Sequence, residues 1–121
     1  MIEETAHHLA FAPFTARLPF ETWILPKCHV SHYEDTPRGR LEDLASIVRS
    51  VIRRLEATVG RCAYNCILHT APFDTIASPH YHWHIEVVPI LARTAGFELG
   101  TGWCINLVAP EEAASRMRAA E

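Results

Sequence analysis

Between Arg40 and Val59 the apolar residues Leu41, Leu44, Val48, Val51, Ile52, Leu55 and Val59 recur at intervals of three and four. That spacing paints one stripe along a helix, with Arg49, Arg53, Arg54 and Glu56 on the outer face. Thr36 and Pro37 supply a helix start, and Gly60 supplies the stop. The flanking segments follow a different rhythm. "HLAFAPF" (8–14) and "ETWILPKCHV" (21–30) are rich in β-branched and aromatic residues and are joined by the turn-like "TARLP", so two strands are expected there. Pro26 marks a strand end or edge. After the helix, "CAYNCILHT" (62–70) and "HYHWHIEVV" (80–88) predict two more strands around the loop "APFDTIASP". Gly96, Gly100 and Gly102 make "ARTAGFELGTGW" (92–103) a shaped loop. "CINLV" (104–108) predicts a short strand. "PEEAASRMRAA" (110–120) predicts a short terminal helix, with acids in its first turn and arginines near its end. The order β-β-α-β-β-loop-α is α+β, with one antiparallel sheet packed against the long helix and the short C-terminal one.

At 121 residues and 49% hydrophobic content, the expectation is a single globular domain spanning 1–121. The net charge of −3 argues against a nucleic-acid partner. No apolar run reaches the ~18 residues a membrane helix needs, and "MIEETAHHLAF" lacks the regions of a signal peptide, so no membrane association and a cytoplasmic location are expected. Cys28, Cys62, Cys66 and Cys104 form no C-x-x-C pair. In a reducing compartment they are most simply free thiols that pack as small apolar side chains.

The chemistry concentrates in "SPHYHWHIEVVP" (78–89). A strand sends alternate side chains to one face, so His80, His82 and His84 would stand in a row ~7 Å apart. His69 closes the preceding strand, and an antiparallel hairpin would bring it alongside. Imidazole is a common ligand for zinc and iron, so His69, His82 and His84 form a three-nitrogen metal set that needs a fourth ligand. The same row supports a second chemistry. His82 could attack a phosphate ester as a covalent nucleophile, with His80 and His84 holding its tautomer and neutralising developing charge. A saturated ligand cannot also be a free nucleophile, so these readings exclude each other at His82. The plain alternative is a half-exposed strand with histidines on its wet face. Arg93, just past the strand, is a candidate phosphate contact, because guanidinium forks onto phosphate. Lys27 and His29 follow a strand and are weaker candidates. Trp23, Trp83 and Trp103 read as core or interface packing, with Trp83 pointing away from the histidines.

"HYHWHIE" carries the His-x-His-x-His pattern of the histidine-triad (HIT) superfamily of nucleotide hydrolases and transferases. Four blocks in order narrow the resemblance: "FAPFTARLPFETWILPKCHVSHYED", "LHTAPFD", "YHWHIEVVP" and "RTAGFELGTGWCINLVAPEEAA". Together they resemble the C-terminal domain of galactose-1-phosphate uridylyltransferases and related sugar-phosphate nucleotidyltransferases, from about His8 to Arg118. The resemblance implies a HIT-like antiparallel half-barrel sheet. It also implies transfer of a nucleoside monophosphate between sugar phosphates through a nucleotidyl-histidine. In that two-domain enzyme the nucleophile lies on a His-Pro-His motif of the N-terminal copy, and neither that motif nor a first copy occurs in this chain. The resemblance further places a structural zinc or iron at His69, His82 and His84, with a glutamate of the other domain as fourth ligand. Glu86 or a partner chain would have to replace it. Glu98 falls where the transferase holds sugar hydroxyls, with Gly96 and Phe97 shaping the contact. His80 departs from that domain and completes the full triad of the histidine-triad hydrolases.

Three readings therefore stand. The first is a galactose-1-phosphate uridylyltransferase-like nucleotidyltransferase domain, binding a nucleotide-sugar or other small nucleotide. It would pair with a second copy or with a separate N-terminal HIT-like half. The second is an autonomous nucleotide hydrolase or transferase using His82. The third is a catalytically silent binding or assembly module. The sequence leaves open whether the chain by itself is an enzyme.

Overall fold

The computed structural model describes residues 1–76 and 78–120. Ala77, within the expected loop 71–79, and Glu121, the last residue of the expected domain, lie outside the described residues. Five antiparallel strands form one open sheet: β1 (Glu3–Glu4), β2 (His8–Phe11), β3 (Thr22–Pro26), β4 (Tyr64–His69) and β5 (His84–Pro89), in the order β1-β2-β3-β5-β4. Helix α1 (Leu41–Val59) crosses one face, with α3 (Pro110–Ala119) beside it, and α2 (Gly96–Thr101) lies between β5 and α3.

Register explains the two faces. Ala10 pairs with Ile24 and Ile24 with Ile85, while Thr22 pairs with Val87, so these inward positions form one apolar layer. Leu44, Ile47, Val51 and Leu55 of α1, with Ala113, Ala114 and Met117 of α3, close over it, and Trp83 is fully buried among them. The opposite face carries Trp23, paired with Glu86, and His69, paired with His84. Strand β4 differs from the rest. Its residues from Tyr64 to Leu68 are exposed on both faces, and its outer edge is open.

Several expectations shift. The strand expected over 80–88 begins only at His84; His80 sits in a turn in which the Tyr81 amide donates to the Ser78 carbonyl. Pro79 helps account for this, since proline is poorly suited to a central strand. The expected 104–108 strand does not form, and the glycine-bearing loop contains α2, stopped by Gly102 at φ 72°. The strands expected over 8–14, 21–30 and 62–70 are shorter, and β1 was not foreseen. Ile47 joins the core. Arg54 leaves the outer face: its guanidinium donates to the carbonyls of Met117, Arg118 and Ala120 and pairs with Glu3, tying the end of α3 to β1. Among the described residues no helix is long and apolar enough to cross a membrane.

Candidate metal and nucleotide-sugar site

On the sheet face away from α1, three rings stack across three strands. Trp23 and His84 lie 4.5 Å apart at 22°, and His84 and His69 lie 4.6 Å apart at 14°. The β4–β5 hairpin sets this, because His69 and His84 are register partners. The Nδ1 of His84 lies 3.1 Å from the carbonyl of His82, just before the strand, which leaves Nε2 facing the cluster. Glu86, two residues on and on the same face, completes it. His69 Nε2, His84 Nε2 and a Glu86 oxygen lie within 4.8 Å of one another.

The charges in this cluster do not balance. Glu21 and Glu86 are both buried, with side chains 1% and 7% exposed, and they share the single guanidinium of Arg17 at 3.5 and 2.8 Å. A buried carboxylate is costly unless paired, so the remaining negative charge favours a second cation. The neighbouring Glu21, against the opposing effect of burial and with help from Glu86, pushes Arg17 further toward its protonated form. Glu21 also accepts from the Arg17 and Leu18 amides and from Trp23 Nε1, so it pins the 13–20 turn to the sheet. Phe20, at φ 62° and buried, delivers Glu21 into that position. A non-glycine residue there is strained, and burial of the ring beneath Arg116 holds it.

Donor spacing supports a metal. Ligands about 2.0–2.1 Å from a tetrahedral zinc stand roughly 3.4 Å apart. His69 Nε2 lies 3.3 Å from Glu86 Oε2, and His84 Nε2 lies 4.0 Å from Glu86 Oε1. His69 Nε2 is buried and makes no well-formed hydrogen bond among the described residues.

The other expected residues disperse. His80 is exposed in its turn and does not extend a row with His82 and His84. His82 packs edge-on against His29, with ring centroids 5.2 Å apart, and stands outside the His69–His84–Glu86 group. Burial, with His29 and His84 nearby, lowers its imidazole below the ordinary range against an opposing hydrogen bond that the ring donates to the Pro26 carbonyl. Its Nε2 is buried without a partner among the described residues. Lys27 pairs with Glu4 at 2.6 Å, and His29 Nε2 lies 3.2 Å from the Ser78 carbonyl. Trp83 packs in the core as expected, whereas Trp103 is 73% exposed.

Past β5, a cavity of about 500 Å³ is lined by Leu18, Pro19, Val88, Arg93, Glu98 and Leu107, among others. Arg93 and Glu98 therefore share one concave surface, while Gly96 and Phe97 open α2 beside it. Glu98 is already engaged: its two oxygens accept the amides of Ala95 at 3.0 Å and Ile105 at 3.2 Å. A carboxylate offers about four acceptor positions, so capacity for a ligand hydroxyl remains.

Residues 1–120 match the family described as galactose-1-phosphate uridyl transferase, C-terminal domain. The chain belongs to that family. It is 37% identical to an ADP-glucose phosphorylase from Arabidopsis thaliana whose crystal structure contains bound ADP-glucose; the TM-score is 0.94, over 99% of this chain and 40% of that one. A galactose-1-phosphate uridylyltransferase from Thermotoga maritima is 34% identical over 99% of this chain and 40% of its own length. A Hit-like protein from Bartonella henselae, at 16% identity, shares the fold with a TM-score of 0.73 over 99% of this chain and 84% of that one. The HIT-like antiparallel fold expected from the sequence is thus present. The chain spans about two fifths of the two longer relatives.

Arg17 and Glu21 were not singled out from sequence, because their role depends on a contact 69 residues along the chain. One signal pointed toward them. Glu86 interrupts an apolar strand, and a lone carboxylate there calls for a cation from elsewhere.

Proposed function

We propose that this chain is the sugar-nucleotide-binding C-terminal half of a nucleotidyltransferase that acts on sugar phosphates. The observation that carries this reading is the cavity beside Arg93 and Glu98, in a chain that matches this family along its whole length. Arg93 would meet a phosphate and Glu98 a sugar hydroxyl, while Leu18, Leu91 and Leu107 would pack the apolar edges. The relative with bound ADP-glucose supports a nucleoside diphosphate sugar as ligand. Residues 1–121 act as one HIT-like unit, and the group-transfer nucleophile comes from a separate N-terminal half, because no His-Pro-His occurs here. The reading places the chain in the cytoplasm, where its four free cysteines stay reduced.

His69, His84 and Glu86 would hold one zinc or iron, and His82, two residues before β5's first histidine, is the further imidazole. Such an ion would cross-link β4 and β5 and supply structural rigidity. The residues themselves fix the donors: stacking on Trp23 orients His84, and register places His69 opposite. Calorimetric titration with ADP-glucose and with UDP-sugars tests the ligand assignment. Binding that is lost in Arg93→Ala supports the reading, and no binding by the chain alone or together with an N-terminal half refutes it.

A further inference from the structure

Glu86 has two suitors. One of its oxygens already receives Arg17 Nη2 at 2.8 Å, and that same oxygen is the one 3.3 Å from His69 Nε2. A divalent ion beside His69 would draw on the oxygen that Arg17 now occupies, while Oε1 stays open 4.0 Å from His84 Nε2. A guanidinium and a divalent ion on one carboxylate repel each other, so each weakens the other's hold. We propose that Arg17 is a resident counter-cation, and that Arg17 and a divalent metal compete for Glu86. This rests on the metal reading above and extends it to a residue outside the ligand set.

The rest of the geometry makes such an exchange feasible. Arg17 is 56% exposed, so its head can swing into water. It keeps a second carboxylate, Glu21, at 3.5 Å, so release from Glu86 does not leave the guanidinium unpaired. The 13–20 turn does not depend on the Arg17 head. Its amides are held by Glu21, and its Ala16 and Leu18 carbonyls accept from Asn106 Nδ2 at 3.0 and 3.3 Å. Metal loading would therefore exchange one side-chain contact and leave the turn in place. Arg17 sets how much free metal is needed to fill the site.

Zinc affinity, measured by competition with a chromophoric chelator, tests this on wild type, Arg17→Gln, Glu86→Gln and the double variant. Removing a half-exposed competing ion pair should tighten zinc binding by roughly three- to tenfold in Arg17→Gln. The gain should vanish when Glu86 is also Gln, because the two residues act as a coupled pair. In wild type, the Arg17 Nε–H resonance should shift on zinc addition. Equal or weaker binding by Arg17→Gln, with zinc still bound by wild type, would overturn the competition and leave the metal site standing. If no variant binds zinc or ferrous iron, the metal site fails and the competition with it. Arg17 lies on an exposed turn, so the variant is expected to fold, and a thermal melt checks that.

Discussion

His8 is fully buried at the start of β2, and its Nδ1 lies 2.7 Å from Asp43 Oδ2 on α1. Thr5 Oγ1 and the His7 amide donate to the same carboxylate oxygen. Partial burial pushes the Asp43 carboxyl up, but these three donors outweigh it and hold it below its ordinary value. The ionised form is therefore favoured by folding. Its contribution is fully present above the unfolded value of about 3.9 and is lost as pH falls through the lower folded value. Asp43→Asn should cost roughly 1–3 kcal/mol near neutral pH, the range for losing hydrogen bonds to a charged group. The difference from wild type should close in denaturant melts taken below about pH 4. The pairing of His69 with His84 was legible in the sequence, because strand alternation and a hairpin are local rules. Asp43 was not singled out from sequence, since nothing nearby in sequence announces a buried histidine 35 residues earlier.

The long helix was readable because its apolar spacing is sustained over five turns, and the structure places Leu44, Ile47, Val51 and Leu55 in the core. Leu55→Ala should destabilise the fold by about 2–5 kcal/mol in chemical denaturation, the usual cost of truncating a buried leucine. Shorter elements escaped for physical reasons. Strand β1 has two residues, too few to show a period, and three glycines within seven residues masked α2. Arg54 shows how an outward-looking residue can serve a neighbouring element. It donates to three carbonyls at the end of α3, groups that a helix terminus otherwise leaves to water. Arg54→Met should therefore speed amide hydrogen exchange in α3 before it affects α1. Equal acceleration in both helices would show that α3 does not depend on this cap.

At the scale of the whole molecule, large apolar side chains are uncovered on β4, beyond β5 and around α2. Ile67 and Leu68 on β4, Leu91 beyond β5, and Phe97, Trp103 and Leu107 around α2 are all exposed. An open strand edge beside apolar side chains favours pairing with another sheet. A second copy or an N-terminal half would cover it. Sedimentation of the chain alone should show concentration-dependent association that Ile67→Glu weakens. Because Ile67 is exposed within one chain, that substitution should change the stability of the isolated fold by no more than about 0.5 kcal/mol. A monomer at every concentration, alone and with the N-terminal half present, would argue against this surface as an interface.

The most direct test of the account is to find where ADP-glucose touches the chain, using methyl NMR of the protein during titration. Shifts are expected to be confined to Leu18, Val88, Ile90, Leu91, Ile105 and Leu107, the leucine, isoleucine and valine walls of the cavity that holds Arg93 and Glu98. Shifts centred instead on Val30, beside His29 and His82, or no shifts at saturating ligand, would contradict it.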